Sequence, residues 1–203
     1  PNFKLLDRFL ITMEKQQVNT IICFNKTDLL EEEQLEQLRR AYVICDYPIL
    51  HISIKTGEGL FEIDKLLHGK TTALAGPSGV GKSSLLNMLK PDANMETGCI
   101  SEKNRRGKHT TRHSELFHLK ENTYIMDTPG FTSLYVDEFD KSDLKDYFIE
   151  FREYQDRCRF KDCVHINEPG CMVKQAFIEG KISKIRYEDY MEIYNEIKDS
   201  KKY

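Results

Sequence analysis

No run of apolar residues in this 203-residue chain approaches the roughly 20 that a membrane-spanning helix needs, so a helical membrane protein is excluded. A secretory leader is missing as well: residues 1–9 mix charge with apolar side chains and show no cleavage pattern. There is no initiating methionine, as expected of a fragment or a processed product. Charge of one sign is not in excess, since 30 Lys+Arg stand against 33 Asp+Glu for a net charge of −3. That balance argues against a wholly basic nucleic-acid binder and leaves room for a local basic patch. Internal repeats and low-complexity tracts are absent too. With 39% hydrophobic and 31% charged residues, the chain reads as one large or two small soluble domains, cytoplasmic and without a membrane partner.

The six cysteines do not form a disulfide pattern. Cys23, Cys45 and Cys99 are scattered, and Cys23, inside an apolar run, reads as a small buried hydrophobe. Cys158, Cys163 and Cys171 instead share a short stretch with His165, and without a secretion signal such a cluster favours a metal.

Short β-branched runs alternate with amphipathic segments through the first half. Strands are expected at 18–24, 49–54 and 71–75, and a strand pair at 115–119 and 123–127 with Glu121-Asn122 as its turn. Helices are expected at 31–41, 60–67 and 82–89, with Gly57-Glu58-Gly59 breaking the chain before the second. That alternation argues for a layered α/β fold with a mostly parallel sheet and helices on both faces. Between 91 and 111 periodicity disappears, and Lys103, Arg105, Arg106, Lys108 and Arg112 make a mobile basic loop. After Phe139 the pattern becomes helical and charged, and the spacing from Ile182 to Ile197 fits a closing amphipathic helix.

Gly76-Pro-Ser-Gly-Val-Gly-Lys-Ser83 matches G-x-x-x-x-G-K-[ST] and sits between a strand and a helix, as a phosphate loop must. Its glycines let backbone N–H groups of Gly76, Ser78, Gly79, Val80, Gly81, Lys82, Ser83 and Ser84 turn towards phosphates at a helix N-terminus. Lys82 reaches the β- and γ-phosphates, and the Ser83 hydroxyl completes a Mg²⁺ shell. Asp127-Thr-Pro-Gly130 ends a later strand; Asp127 would serve Mg²⁺ through water and the Gly130 N–H would sense the γ-phosphate.

Asn25-Lys-Thr-Asp28 follows the first strand. The Asp28 carboxylate can accept both N1–H and N2–H of guanine, a pair that adenine cannot supply. Asn25 would tie the loop together, and Lys26 would lie along the base plane. A backbone N–H of Ser53-Ile54-Lys55, after the second strand, can meet guanine O6. Ordinary GTPases place the phosphate loop first and the base-reading loops last. Here that order is inverted, a rearrangement a sheet tolerates because its chain ends lie close together at the surface.

Phe131 follows the D-x-x-G motif where many GTPases carry a water-orienting glutamine, so another polar group must serve. His109, beside Thr110 and Thr111 in the basic loop, is the best candidate, with Thr111 (or Thr110) as a further Mg²⁺ ligand. Cys158-x4-Cys163-x-His165-x5-Cys171 supplies three thiolates and one imidazole, a complete tetrahedral set for one structural Zn²⁺. Arg152, Arg157, Arg159 and Lys161 surround that cluster and, with the basic loop, fit contact with an RNA backbone.

The motif order together with NKTD, SIKTGEGL, GPSGVGKSSLLN, KHTT, DTPGF and CRFKDCVHINEPGC resembles the circularly permuted, small-subunit-dependent ribosomal GTPases, the RsgA (YjeQ, YloQ) family. The resemblance implies a permuted GTPase domain over 1–147, a helical zinc-binding domain over 148–203, and an N-terminal OB-fold that this chain lacks. It implies GTP hydrolysis stimulated by the small ribosomal subunit late in its maturation, contact with its rRNA, and the same His109 as the water-positioning group. The chain is expected to be a monomer. The competing expectation is a GTP-dependent binding switch for another RNA or protein partner, with incidental hydrolysis.

Overall fold

The computed structural model describes residues 1–93, 95, 115–127, 136 and 138–200. Its elements are α1 (Phe3–Lys15), β1 (Ile22–Phe24), α2 (Glu32–Tyr42), β2 (Ile49–His51), α3 (Leu60–Leu67), β3 (Thr71–Leu74), α4 (Lys82–Leu89), β4 (Glu115–Lys120), β5 (Thr123–Asp127), α5 (Arg152–Gln155), α6 (Met172–Ile178) and α7 (Lys184–Ser200). They form two compact units that do not follow chain order. One comprises Pro1–Ile22, Glu31–Ile49 and Ser133–Tyr203; the other comprises Cys23–Leu30 and Leu50–Thr132.

The second unit carries the nucleotide motifs. β5 is the central strand of a three-stranded sheet: β3 runs parallel to it, with Leu74 opposite Asp127, and β4 runs antiparallel, with Phe117 opposite Ile125. β1 and β2 form a separate pair. The Ile22 N–H donates to Pro48 O at 2.9 Å and the Ile52 N–H to Phe24 O at 2.8 Å, so the bonds step forward together and the pair is parallel. Ile63 and Leu67, one turn apart on α3, and Leu85 and Leu86 of α4 bury their side chains with Ile52, Phe117 and Ile125. Entry into α3 needs Gly59: its φ is +73°, and a Cβ there would lie 2.6 Å from His51 O.

β1 is shorter than the expected 18–24 because α1 claims the first of those residues. The Val18 N–H donates to Met13 O at 2.9 Å across Gln17, whose φ is +56°, which turns 16–18 into the end of the helix. Within β1, Ile22 and Phe24 are buried and Cys23 is exposed. The reading of Cys23 as a buried hydrophobe is therefore corrected: strand alternation points it away from the face its neighbours bury.

The first unit is organised by aromatic packing around α7. Phe151 meets the Tyr190 ring edge-on at 5.0 Å, Phe148 stacks on Phe151 at 5.4 Å, and Ile193, Ile197 and Leu144 close the core. At its centre lies a fully buried arginine. The Arg186 guanidinium donates to both oxygens of Glu150, at 2.7 and 2.9 Å, and pairs with Asp7 Oδ1 of α1 at 2.8 Å. Asp7 Oδ1 also accepts from the Tyr42 hydroxyl at 2.7 Å. One cation among several carboxyl groups does not compensate them all. Burial, then the charge of Asp7, pushes the Asp189 carboxyl up to about 7, and burial likewise raises Asp7. A carboxyl raised above its unfolded value favours the fold while protonated. Its contribution is complete below the ordinary carboxyl pKa and is lost as pH rises through about 7. Asp189→Asn should remove that loss, so the variant gains stability relative to wild type between pH 5 and pH 8 in urea titrations; a constant difference across that window would refute the assignment.

Candidate nucleotide and metal sites

β3 delivers the chain into the phosphate loop, and Gly81 (φ +104°) caps α4, so the loop ends where a helix N-terminus begins. Gly76 is buried, Ser78, Gly79 and Val80 are exposed, and Lys82, Ser83 and Ser84 are half-buried on the first turn of α4. Lys82 Nζ donates to Gly76 O at 2.7 Å and Pro77 O at 2.9 Å, which holds the ammonium over the loop. Partial burial lowers the Lys82 pKa, and the Asp127 carboxylate at the end of β5 works against that shift. Lys82 and Asp127 therefore lie within electrostatic reach of one another. A Cβ at Gly81 would run into the Asn25 amide.

Asn25 joins three segments. Its amide nitrogen donates to Val80 O at 2.9 Å, and its oxygen accepts from the N–H of Lys26 at 2.8 Å and of Ile54 at 3.3 Å. Lys26, left-handed at φ +68°, sends Nζ to Gly79 O at 2.9 Å. The Ser53 hydroxyl donates to Asp28 Oδ1 at 2.7 Å, and Lys55 Nζ lies 3.9 Å from Asp28 Oδ2. The structure thus brings Asn25, Lys26, Asp28, Ser53, Ile54 and Lys55 together with the phosphate loop. Thr27 completes the set, its N–H and hydroxyl both donating to Ile52 O, at 3.1 and 2.9 Å. Its role was illegible because the motif leaves that position open. His109, Thr110, Thr111 and Gly130 lie outside the described residues.

Cys158, Cys163, His165 and Cys171 present ligand atoms that all lie within 4.8 Å of one another. Zn–S bonds of about 2.3 Å and a Zn–N bond of about 2.0 Å in a tetrahedron demand S···S edges near ~3.8 Å and S···N edges near ~3.6 Å. The structure has Cys158 Sγ 3.9 Å from Cys171 Sγ, and His165 Nδ1 at 3.6 and 3.4 Å from the same two sulfurs. The donor set fits a tetrahedral metal ion. Burial pushes the His165 imidazolium down to about 4, which leaves the neutral ring a ligand requires. It also pushes the Cys163 thiol up to about 12, so the thiolates need a cation close by. Two N–H···S bonds, Met172 to Cys158 at 3.3 Å and Lys174 to Cys171 at 3.4 Å, disperse sulfur charge at the start of α6. Of the basic residues nearby, Arg152 is engaged by Glu14 at 2.8 Å, whereas Arg159 lies 5.5 Å from the half-exposed Phe160 ring.

The RsgA GTPase family model matches residues 1–137. A protein of Agathobacter rectalis named small ribosomal subunit biogenesis GTPase RsgA is 55% identical over the whole of this chain, which covers 67% of that protein. A protein of the same name from Alkaliphilus metalliredigens is 45% identical over the whole chain, covering 70% of its length. The crystal structure of YjeQ from Thermotoga maritima superposes with a TM-score of 0.81 at 37% identity, over 97% of this chain and 66% of that one. YloQ, described as a circularly permuted GTPase, gives a TM-score of 0.78 at 36% identity, over 97% of this chain and 63% of that one. The chain therefore spans about two thirds of the length of its relatives. Inverted motif order, a bonded pair of nucleotide loops and whole-chain identity to these proteins agree: the chain belongs to the RsgA GTPase family.

Proposed function

We propose that the chain binds GTP with Mg²⁺ and hydrolyses it as a switch in late maturation of the small ribosomal subunit, whose binding stimulates turnover. The observation that carries the nucleotide reading is the direct bonding of the base-reading loop to the phosphate loop, Asn25 to Val80 O and Lys26 to Gly79 O. Such bonds fix the distance between the place where a base is read and the place where phosphates are held. The ribosomal reading is supported by the names that the whole-chain relatives carry.

Asp28 selects guanine, with the backbone of Ser53, Ile54 and Lys55 beside it. The N–H groups of Gly76, Ser78, Gly79, Val80, Gly81, Lys82, Ser83 and Ser84, with Lys82 Nζ, hold the phosphates. Ser83 and Asp127, with Thr111 or Thr110, offer the hard oxygen ligands that suit Mg²⁺, which when bound neutralises charge on the phosphate oxygens. His109 positions the attacking water when the subunit is bound. Cys158, Cys163, His165 and Cys171 hold one structural Zn²⁺, since three thiolates and an imidazole suit a borderline-soft ion and leave no open position for catalysis. We assign 1–147 to the permuted GTPase domain, which contains the family-model match over 1–137, and 148–203 to the zinc domain, with which residues 1–22, 31–49 and 133–147 share one compact unit. The protein acts as a cytoplasmic monomer and meets rRNA through its basic loop and the exposed basic residues around the zinc cluster.

The test is GTP turnover with and without purified small ribosomal subunits. Turnover that rises at least ~10-fold with subunits, and loses that rise in His109→Ala while GTP binding persists, is expected for a partner-ordered switch. Stimulation by a different RNA particle but not by the subunit would transfer the switch to another partner.

A further inference from the structure

Glu168, three residues beyond His165, is held by three backbone N–H groups and pairs with no Lys or Arg among the described residues. Oε1 accepts from the Val164 N–H at 2.9 Å, and Oε2 accepts from the N–H groups of Ile166 and Asn167, both at 3.0 Å. These donors flank His165 on both sides, so the carboxylate gathers the loop around the ligand. His165 itself is fully buried at φ +61°, a left-handed conformation uncommon for residues that carry a β-carbon. The outward carbonyls of the same loop are also taken: the Tyr187 hydroxyl donates to His165 O and the Tyr190 hydroxyl to Val164 O, each at 2.6 Å. Lys145 Nζ donates to Cys163 O at 3.1 Å.

We propose that Glu168 is a positioning residue for the metal site, a carboxylate clamp that holds the His165 backbone in its left-handed turn so that Nδ1 faces the sulfurs of Cys158 and Cys171. The inference rests on the zinc reading above and extends it to a residue outside the ligand set.

Electrostatics and positioning predict opposite signs, which makes the clamp testable. Three thiolates, one neutral imidazole and Zn²⁺ carry a net charge of −1, so a nearby carboxylate acting only through its charge would weaken zinc binding. Its neutral isostere would then tighten it. Acting as a clamp, the carboxylate strengthens binding, and its neutral isostere weakens it. Glu168→Gln keeps the shape but turns an N–H₂ donor towards backbone N–H donors, which opens the loop.

The experiment compares zinc-loaded wild type, Glu168→Gln, Glu168→Asp and the control Glu179→Gln, the last on an exposed carboxylate bonded to Gln175 and Lys181. Zinc release into excess chromogenic chelator is followed from the loaded chains, and equilibrium affinity is measured by competition. Wild type and Glu179→Gln should hold one zinc per chain. Glu168→Gln should bind zinc about 10- to 100-fold more weakly, the range for loss of an outer partner of a metal ligand. Glu168→Asp, too short to reach all three donors, should fall between. With Co²⁺ in place of zinc, the visible absorption of Glu168→Gln should shift as the His165 ligand is misplaced, a signature that loss of stability alone does not give. Affinity and release equal to wild type in both variants, or tighter binding by Glu168→Gln, overturns the clamp. If Glu168→Gln cannot be loaded, the result for Glu168→Asp decides. Wild type that binds no zinc would instead overturn the metal reading itself.

Discussion

Asp28→Asn should cost guanine nucleotides at least ~100-fold in affinity and give xanthine nucleotides the advantage. Asp28 is 14% exposed in its side chain, and one of its oxygens already accepts from the buried Ser53 hydroxyl. An asparagine has one oxygen, which stays with Ser53, and the amide N–H₂ then faces the base. Guanine presents N1–H and N2–H there, so donors meet donors. Xanthine presents a carbonyl in place of the amino group and can accept. Hydrogen bonds to a charged group are worth about 1.5–3 kcal/mol each, so two lost bonds amount to roughly 3–6 kcal/mol, or about 10²- to 10⁴-fold. Titration of the variant with GDP and with XDP measures both arms. An unchanged GDP affinity would remove Asp28 from base recognition.

Much of that site was legible in the sequence because punctuation and motif coincide. The helices at 60–67 and 82–89 and the strand at 123–127 have the bounds read from glycines, apolar spacing and the D-x-x-G motif. Local chemistry sets those ends. α1 was not read as a helix at all, since its buried face carries Asp7 beside Leu10 and Ile11, and a buried carboxylate breaks the apolar pattern by which helices are recognised. Arg186 was missed for the same reason: in the 182–197 pattern it looks like a solvated residue between apolar ones. Its burial depends on Glu150 and Asp7, residues remote in sequence, so no window of the chain contains the cause. The role of Glu168 is illegible in the sequence because the three cysteines and His165 account for the cysteine-rich stretch by themselves, while its partners are backbone N–H groups that carry no sequence signature.

Arg186→Met should destabilise the protein by about 3–5 kcal/mol, the range for stripping one partner from a buried ion pair. The variant leaves Glu150 and Asp7 buried without their cation, and it removes the guanidinium that sits 4.5 Å from the centre of the Phe148 ring. Methionine fills most of the volume, so the loss reports on charge more than on a cavity. Adding Glu150→Gln and Asp7→Asn to the same chain should recover part of the loss, because neutral amides tolerate burial better than orphaned carboxylates. Urea denaturation of the single and triple variants gives the comparison. A single variant within ~1 kcal/mol of wild type would show that the cation is dispensable to the fold.

The way the chain threads its two compact units sets an order of assembly on the translating ribosome. Every segment of the nucleotide-carrying unit precedes residue 133, so that unit can close while synthesis continues. The other unit joins α1 to α7, and Asp7 waits for Arg186, which is made far later than the last segment of the nucleotide-carrying unit. Closing so long a loop is slow. A nascent chain thus completes every segment of its phosphate-loop unit before Cys158, Cys163, His165, Cys171 and α7 have been made.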